Sequence, residues 1–427
     1  MSERADASPA SRLTPVAWGI AGSGAAAAGQ FATMVLLIRA GSVEAAGVYA
    51  AALAVVTPIF MLANLQLRQL LATDVRRQHP VSDYVALRTW LLGGACLTAA
   101  AAALILEGAT EVWIVTVILA VVRAVEHGAD LLYGAAQRQL EFAFIGSSQI
   151  LRALATTSVL GVMLMAGASV SGALLGTAIA SCAVFLLFDV AAARRSIAGP
   201  LLSFRANPAS LRRILRIGVP LGIVMALASV AEYAPRYVLR SYMGLNSIGV
   251  FSALLYVVLP GRLLVTTCGQ LAIVRFSRQV AAGDGAGLWR TLMVFVAGTV
   301  TLGVALFVMM GIAGGDLLSW IYGDEYRIHA PMLKILVIAA TVAWVNAALG
   351  QALTAARIVD GQLMVGAGTA VALFVALVLM VPRHGLYGAA YASVIGYVVQ
   401  LSLFAALLCR HRVVFRAGAR AIEGVAA

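Results

Sequence analysis

Glu232, Arg236 and Arg240 follow one another at intervals of four residues inside a stretch that is otherwise apolar, so they share one face of a helix. Glu232 and Arg236 are placed to pair across one turn. Arg123 and Arg262 sit deeper in apolar runs, and Arg39 closes the first such run. A charged side chain at the middle of a membrane costs on the order of 2.5–3.5 kcal/mol by insertion scales, so each needs a partner or a wet cavity. The chemistry open to such residues is the capture of a cargo rather than the making or breaking of a bond. Two readings stand for Arg39 and Arg240: lining of a cleft, or snorkelling to outer headgroups. The spacing also permits a purely structural Glu232–Arg236 pair. Arg123 and Arg262 have less room to snorkel and read as cavity residues. Asp189, near an inner helix end, reads as interfacial. Gln30, Asn64, Gln149, Asn346 and Gln351 are either cavity lining or interhelical hydrogen bonds.

Other motifs carry less. Gly22-Ser-Gly24 lies in an apolar run with no preceding strand and no acidic residue about twenty positions on, so it is no dinucleotide fingerprint. Small residues there serve close helix packing. The chain has no phosphate-binding loop, and its five histidines fall in different segments. Its four cysteines are scattered through apolar runs without metal-ligand spacing, which fits core packing. No enzyme, metal site or cofactor is expected.

What positions these residues is a membrane. The chain is 62% hydrophobic and 11% charged, whereas soluble domains carry about 25% charged residues. The first fifteen residues are polar and the apolar stretch 16–38 is too long for the core of a cleaved leader, so none is expected. Apolar runs predict twelve spans: 16–38, 45–65, 84–106, 112–132, 144–166, 171–192, 214–239, 246–271, 288–313, 332–355, 358–381 and 385–408. The run 112–132 is the weakest, interrupted by Arg123, Glu126, His127 and Asp130.

The halves are related. Residues 47–58 recur at 249–260 with seven of twelve positions identical, an offset of 202 in 427 residues. Allowing one inserted residue, the same register relates Arg39 to Arg240, which would set two basic groups on opposite walls of one cleft. The expected lobes are 1–199 and 200–427, divided at the basic loop from Arg194 to Arg213. Net charge is +12, carried by 29 arginines and Lys334. With the N-terminus inside, 24 of these cations fall in inner segments and 6 in outer ones, so both termini are expected in the cytoplasm. That distribution accounts for the basic balance without nucleic acid. A duplicated chain of this kind is usually a transporter with its site between the halves.

One longer pattern runs through these pieces. Arg216-Ile-Gly-Val-Pro220, Ala234-Pro235-Arg236-Tyr-Val-Leu, Met243-Gly244 and Gly249-Val-Phe251-Ser-Ala253 stand in order along the seventh and eighth spans. Leu37-Ile-Arg39 through Gly47-Val-Tyr49 repeats them in the first half. Gly134-Ala-Ala-Gln-Arg138, Gly172-Ala173 and Tyr387-Gly388-Ala389 add further points. The series resembles bacterial polysaccharide exporters, the lipid-linked oligosaccharide flippases of the multidrug/oligosaccharidyl-lipid/polysaccharide exporter superfamily. The resemblance covers nearly the whole chain but rests on short, degenerate motifs. It departs at Pro235, where the family often has an aspartate. Glu232, one turn earlier, is the residue that could replace it.

The resemblance implies an all-α bacterial plasma-membrane protein with two six-helix lobes around a central cavity. Its first, second, seventh and eighth helices would line that cavity. It implies alternating access for a polyprenyl-pyrophosphate-linked oligosaccharide whose tail stays in lipid, with no cofactor. A polysaccharide polymerase or glycosyltransferases are candidate partners beside the membrane lipids. The residues then expected at the substrate are Arg39, Arg236, Arg240, Arg262, Arg123, Glu232 and Gln30. Arginine suits the pyrophosphate head because its planar fork donates to two oxygens at once. Few acids lie in the spans, which argues against a cation as principal cargo. The alternative is a drug or organic-cation antiporter of the related multidrug branch, for which Glu232 and Asp189 would be the coupling acids.

Overall fold

In a computed structural model, residues 9–74, 79–107, 110–196, 207–356, 358 and 360–410 are described, and every regular element among them is helical. The chain ends, residues 75–78 and the middle of the expected boundary loop, 197–206, lie outside them. Eleven helices among the described residues are long and apolar enough to cross a membrane. In a bilayer core only such closed hydrogen-bonding patterns keep the backbone satisfied.

Helix α1 (Pro9–Leu36) runs into a π-helical turn at Leu37–Gly41 that carries Arg39. Ser42 then starts α2 (Val43–Asn64) by accepting the Ala45 amide at 3.0 Å. The short α3 (Leu67–Thr73) leads to α4 (Val81–Glu107), α5 (Glu111–Arg138) and α6 (Phe142–Met165). Four charged or titratable side chains do not stop α5 from being one unbroken helix. Ser169 caps α7 (Val170–Val184), which passes through a second π-helical turn, Phe185–Asp189, into α8 (Val190–Ser196).

The second half has longer helices: α9 (Pro208–Met243), α10 (Leu245–Ala281) and α11 (Gly285–Tyr322). A 3-10 turn at Asp324–His329 enters α12 (Ala330–Ala355). The last helix, α13 (Asp360–Arg410), is 51 residues long and breaks at Gly385, with φ 57° and ψ −131°. A backbone so placed favours glycine, and the break divides α13 into the two spans expected at 358–381 and 385–408. All twelve expected spans are therefore helical, two of them fused in one element.

Contacts divide the chain into two compact units, residues 1–230 and 231–427. The repeat is visible inside each. Gly47–Pro58 lies in α2 and Gly249–Pro260 in α10; each helix holds its proline internally, and each is strongly buried within its unit. In unit 1, α1 packs closely on α6. A Cβ added at Gly22 would lie 2.8 Å from the Gly146 Cα, so the close packing expected of the Gly22-Ser-Gly24 run holds at Gly22, whereas a Cβ at Gly24 would meet nothing within 4 Å.

Candidate functional site

Unit 1 holds a half-open cavity of about 410 Å³ with a mixed polar and apolar lining. Gln30 and Thr33 of α1, Tyr49 and Asn64 of α2, and Arg123, Glu126, His127, Asp130 and Tyr133 of α5 line it. Gln149, Arg152 and Thr156 of α6 and Thr177 of α7 complete its polar wall. On α5, positions 123, 126, 127, 130 and 133 recur at the helical period, so one face of α5 supplies five of these groups, four of them within the weakest expected span. That span looked weak because this face is wet.

The arginines and acids of the cavity wall are paired. Arg123 donates to Glu126 at 2.7 Å along the helix, and Arg68 to Asp130 at 3.0 Å from α3. Arg68 also donates to Gln137 Oε1 at 3.3 Å and lies 5.7 Å above the Tyr133 ring. Asn64 Nδ2 donates to His127 Nδ1 at 2.8 Å, which leaves the other ring nitrogen to carry the proton of a neutral imidazole. Phe60 stacks on the same ring at 5.6 Å.

Below the cavity wall Arg152 is paired with Asp189, which is 0% exposed. Arg152 also donates to Ser181 Oγ at 3.1 Å, Ser148 donates to Asp189, and Tyr133 and Ser148 share a hydrogen bond of 2.6 Å. This corrects the expectation that Asp189 is interfacial. The π turn at Phe185–Asp189 adds a residue to the helical turn and so sets Asp189 towards α6.

A detectable signal was available. Arg152 stands ten residues into α6 and Asp189 seven before the end of α8, a similar depth on neighbouring antiparallel helices. Arg88 of α4, only 2% exposed, has no hydrogen-bond partner among the described residues for any of its guanidinium nitrogens.

Unit 2 holds a different arrangement. Arg262 of α10 donates to Glu232 of α9 at 2.5 Å, with the two side chains 54% and 48% exposed. The expected Glu232–Arg236 pair is thus replaced by a bridge between helices. Arg236 is 8% exposed, donates from Nε to Ser252 Oγ of α10 at 3.0 Å, and lies 4.5 Å over the Tyr233 ring. Residues i and i+4 were within reach, but burial of Arg236 against α10 turns its guanidinium away from the exposed Glu232. Arg240 lies one turn further along α9, and Arg39 sits in the π turn of unit 1; both engage neighbours.

The expected residues therefore fall into two groups. Gln30 and Arg123 line the cavity of unit 1. Glu232, Arg236 and Arg262 form one cluster on α9 and α10. Of the amides considered, Asn64 and Gln149 also line the cavity. Asn346 instead bridges helices, donating to the Tyr397 carbonyl and to Gln400 Oε1, each at 2.9 Å. Among the described residues no group of three or more His, Cys, Asp or Glu side chains could hold a metal.

No protein-family model matches the chain. The capsular polysaccharide biosynthesis protein CapF of Staphylococcus aureus is 22% identical over 389 residues, covering 87% of this chain and 93% of that protein. An inward-facing multidrug resistance MATE family transporter of the MOP superfamily superposes with a TM-score of 0.76 at 12% identity. That match covers 92% of this chain and 96% of the transporter. Lipid II flippase MurJ, in an inward closed conformation, superposes with a TM-score of 0.70 at 12% identity, covering 92% of this chain and 87% of its own. The chain shares the fold of these two solved structures.

Proposed function

We propose that this chain carries a polyprenyl-pyrophosphate-linked oligosaccharide from the inner to the outer leaflet of a bacterial plasma membrane, feeding polysaccharide assembly. The observation that carries this reading is the arginine cluster on α9 and α10. Arg236 is buried inside membrane-spanning helices, bonded to the Ser252 hydroxyl and lying over the Tyr233 ring, and Arg262 is paired with the half-exposed carboxylate of Glu232. Guanidinium groups so placed can each present a planar fork to phosphate oxygens where water screens little. Full-length likeness to a capsular polysaccharide biosynthesis protein supports the glycan, and the flippase fold supports a lipid-linked form of it.

In the proposed cycle Arg236 and Arg262 take the pyrophosphate, with Arg39 and Arg240 as its repeat-related approach. Glu232 neutralises Arg262 between substrates and is displaced when a phosphate oxygen arrives. Arg123 and Gln30 are the candidate substrate residues within unit 1. Alternating access exposes these groups to each face in turn while the polyprenyl tail remains in lipid. The charge distribution supports a cytoplasmic side for both termini.

Deletion of the gene, with membrane-impermeant labelling of the lipid-linked glycan on intact cells, tests the proposal. Precursor should accumulate on the inner leaflet, and Arg236→Ala should fail to restore export while still reaching the membrane. An unchanged leaflet distribution on deletion would overturn the reading. The MATE-like fold favours a second reading as an organic-cation antiporter. Against it, Glu126, Asp130, Asp189 and Glu232 are each already bonded to an arginine. Drug resistance conferred by overexpression in cells lacking the glycan precursor would support that second reading.

A further inference from the structure

The cavity of unit 1 is not explained by the arginine cluster of α9 and α10. We infer that it is a site for an uncharged, polyhydroxylated ligand: a sugar of the glycan head, bound apart from the pyrophosphate.

The argument begins with charge. Arg123 and Arg152 line the cavity beside Glu126 and Asp130, with His127 accepting a hydrogen bond at Nδ1. The lining carries equal numbers of arginines and acids. One layer out, Arg68 answers Asp130 and Asp189 answers Arg152. Arg88, the remaining cation nearby, is not part of the wall. An anion entering would have to break a guanidinium from a carboxylate already bonded to it, and a cation would have to do the reverse. A neutral ligand breaks neither.

Hydrogen-bonding type narrows the class further. A site for anions is a set of donors, and a site for cations is a set of acceptors. Here the two are interleaved: the carboxamides of Gln30 and Gln149 offer both, the hydroxyls of Thr33, Thr156 and Thr177 offer lone pairs, and Arg123 and Glu126 present donor and acceptor side by side. Thr33 and Thr156 send their protons to carbonyls of their own helices, which leaves their oxygens as acceptors. A sugar hydroxyl donates once and accepts up to twice, so it needs neighbours of both kinds within one ring's width. Tyr49 and Leu53 give an apolar wall on which the C–H face of a ring can lie. The volume, about 410 Å³, falls in the range of roughly 300–1,000 Å³ typical of small-ligand sites.

This assignment rests on the flippase reading for the source of the sugar, and the two are separable by experiment. Purified protein in nanodiscs is probed with the free glycan released by mild acid from the cells' own lipid-linked fraction, using saturation-transfer NMR. Inorganic pyrophosphate is followed in parallel by 31P line width.

The glycan signal of the wild type should fall about tenfold in Gln30→Leu/Gln149→Leu, the loss of one or two hydrogen bonds, and persist in Arg262→Gln. Pyrophosphate broadening should show the opposite pattern. Neither glutamine makes a hydrogen bond that holds two helices together among the described residues, and an unchanged thermal melt checks that the double variant is folded.

A wild type that gives no glycan signal, a signal that survives in the double variant, or pyrophosphate broadening lost in that variant overturns the sugar site. Failure of the flippase reading shows elsewhere, in a leaflet distribution indifferent to deletion. A single Gln149→Leu change, gentler on the fold, decides the matter by the same signal should the double variant melt early.

Discussion

The two units of this chain solve one problem, the charged residue in a membrane, in different ways. In unit 1 three arginines are paired with carboxylates, Arg152 with the buried Asp189 and the part-exposed Arg68 and Arg123 with Asp130 and Glu126, while Arg88 is buried without a hydrogen-bond partner among the described residues. In unit 2 the one pair on α9 and α10 is half-exposed, and Arg236 is buried with a hydroxyl rather than a carboxylate. A closed pair is insulated from a charged ligand because the ligand must beat an existing partner in low dielectric. An open pair, or a cation with a neutral partner, remains available. The repeat gave both units a buried helix with an internal proline at matching positions, Pro58 and Pro260, but the charges of the two units are paired differently.

The sharpest way to break this contrast is to remove one member of the sealed pair. Asp189→Ala should destabilise the protein by about 3–5 kcal/mol, since it strands Arg152 in the bundle. Asp189→Leu/Arg152→Met should recover much of that loss. Melting of the purified variants in detergent measures both, and equal losses in single and double variants would mean the pair is not sealed.

In unit 2 the largest effect should be on transport. Arg236→Ala is expected to lower glycan export at least about tenfold with normal insertion, and Arg236→Lys to recover only part because a point charge replaces a planar fork. Labelling of surface glycan beside immunodetection in the membrane separates the two quantities. If Arg236→Ala melts early instead, its role belongs with Arg152.

The junctions between successive spans offer a third contrast. Unit 1 turns from α6 to α7 through a loop holding Gly167 at φ 80°, whereas unit 2 makes the corresponding turn at Gly385 inside a continuous element. Gly385→Ala should cost about 1–3 kcal/mol through backbone strain, and a Cβ there would also sit 3.1 Å from the Met243 Cε. The smallest effect is expected from Glu232→Gln. After solvent screening, a pair this open contributes roughly 0–1 kcal/mol, so the melt should barely move. The same change should alter the salt dependence of pyrophosphate binding by leaving Arg262 without its carboxylate. A large loss of stability would show that the pair is not open.

Much of this was legible along the chain. The twelve spans, the repeat of Gly47–Pro58 at Gly249–Pro260, and the close-packing role of Gly22 follow from apolar length, identity and residue size. Arg123 reads as a cavity residue and Gln30 as either cavity lining or an interhelical hydrogen bond; both line the cavity of unit 1, and their role at a substrate remains a proposal. Two readings failed for one kind of reason. Glu232 was matched to Arg236 because spacing within a helix is visible in sequence, whereas its partner Arg262 lies on the next helix. Asp189 was placed at a membrane rim because a π turn, which rotates the residues after it, leaves no mark in a 3.6-residue pattern.

What the sequence alone determined is where the backbone crosses lipid. A spanning helix must satisfy its own hydrogen bonds over about 20 apolar residues, so each span is a local property that can be read residue by residue. Which charge meets which was decided only by tertiary structure. An ion pair in low dielectric depends on the depth and rotation of two helices far apart in the chain, and Arg152 and Asp189, 37 residues apart, meet only because α6 and the turn at Phe185–Asp189 are packed together.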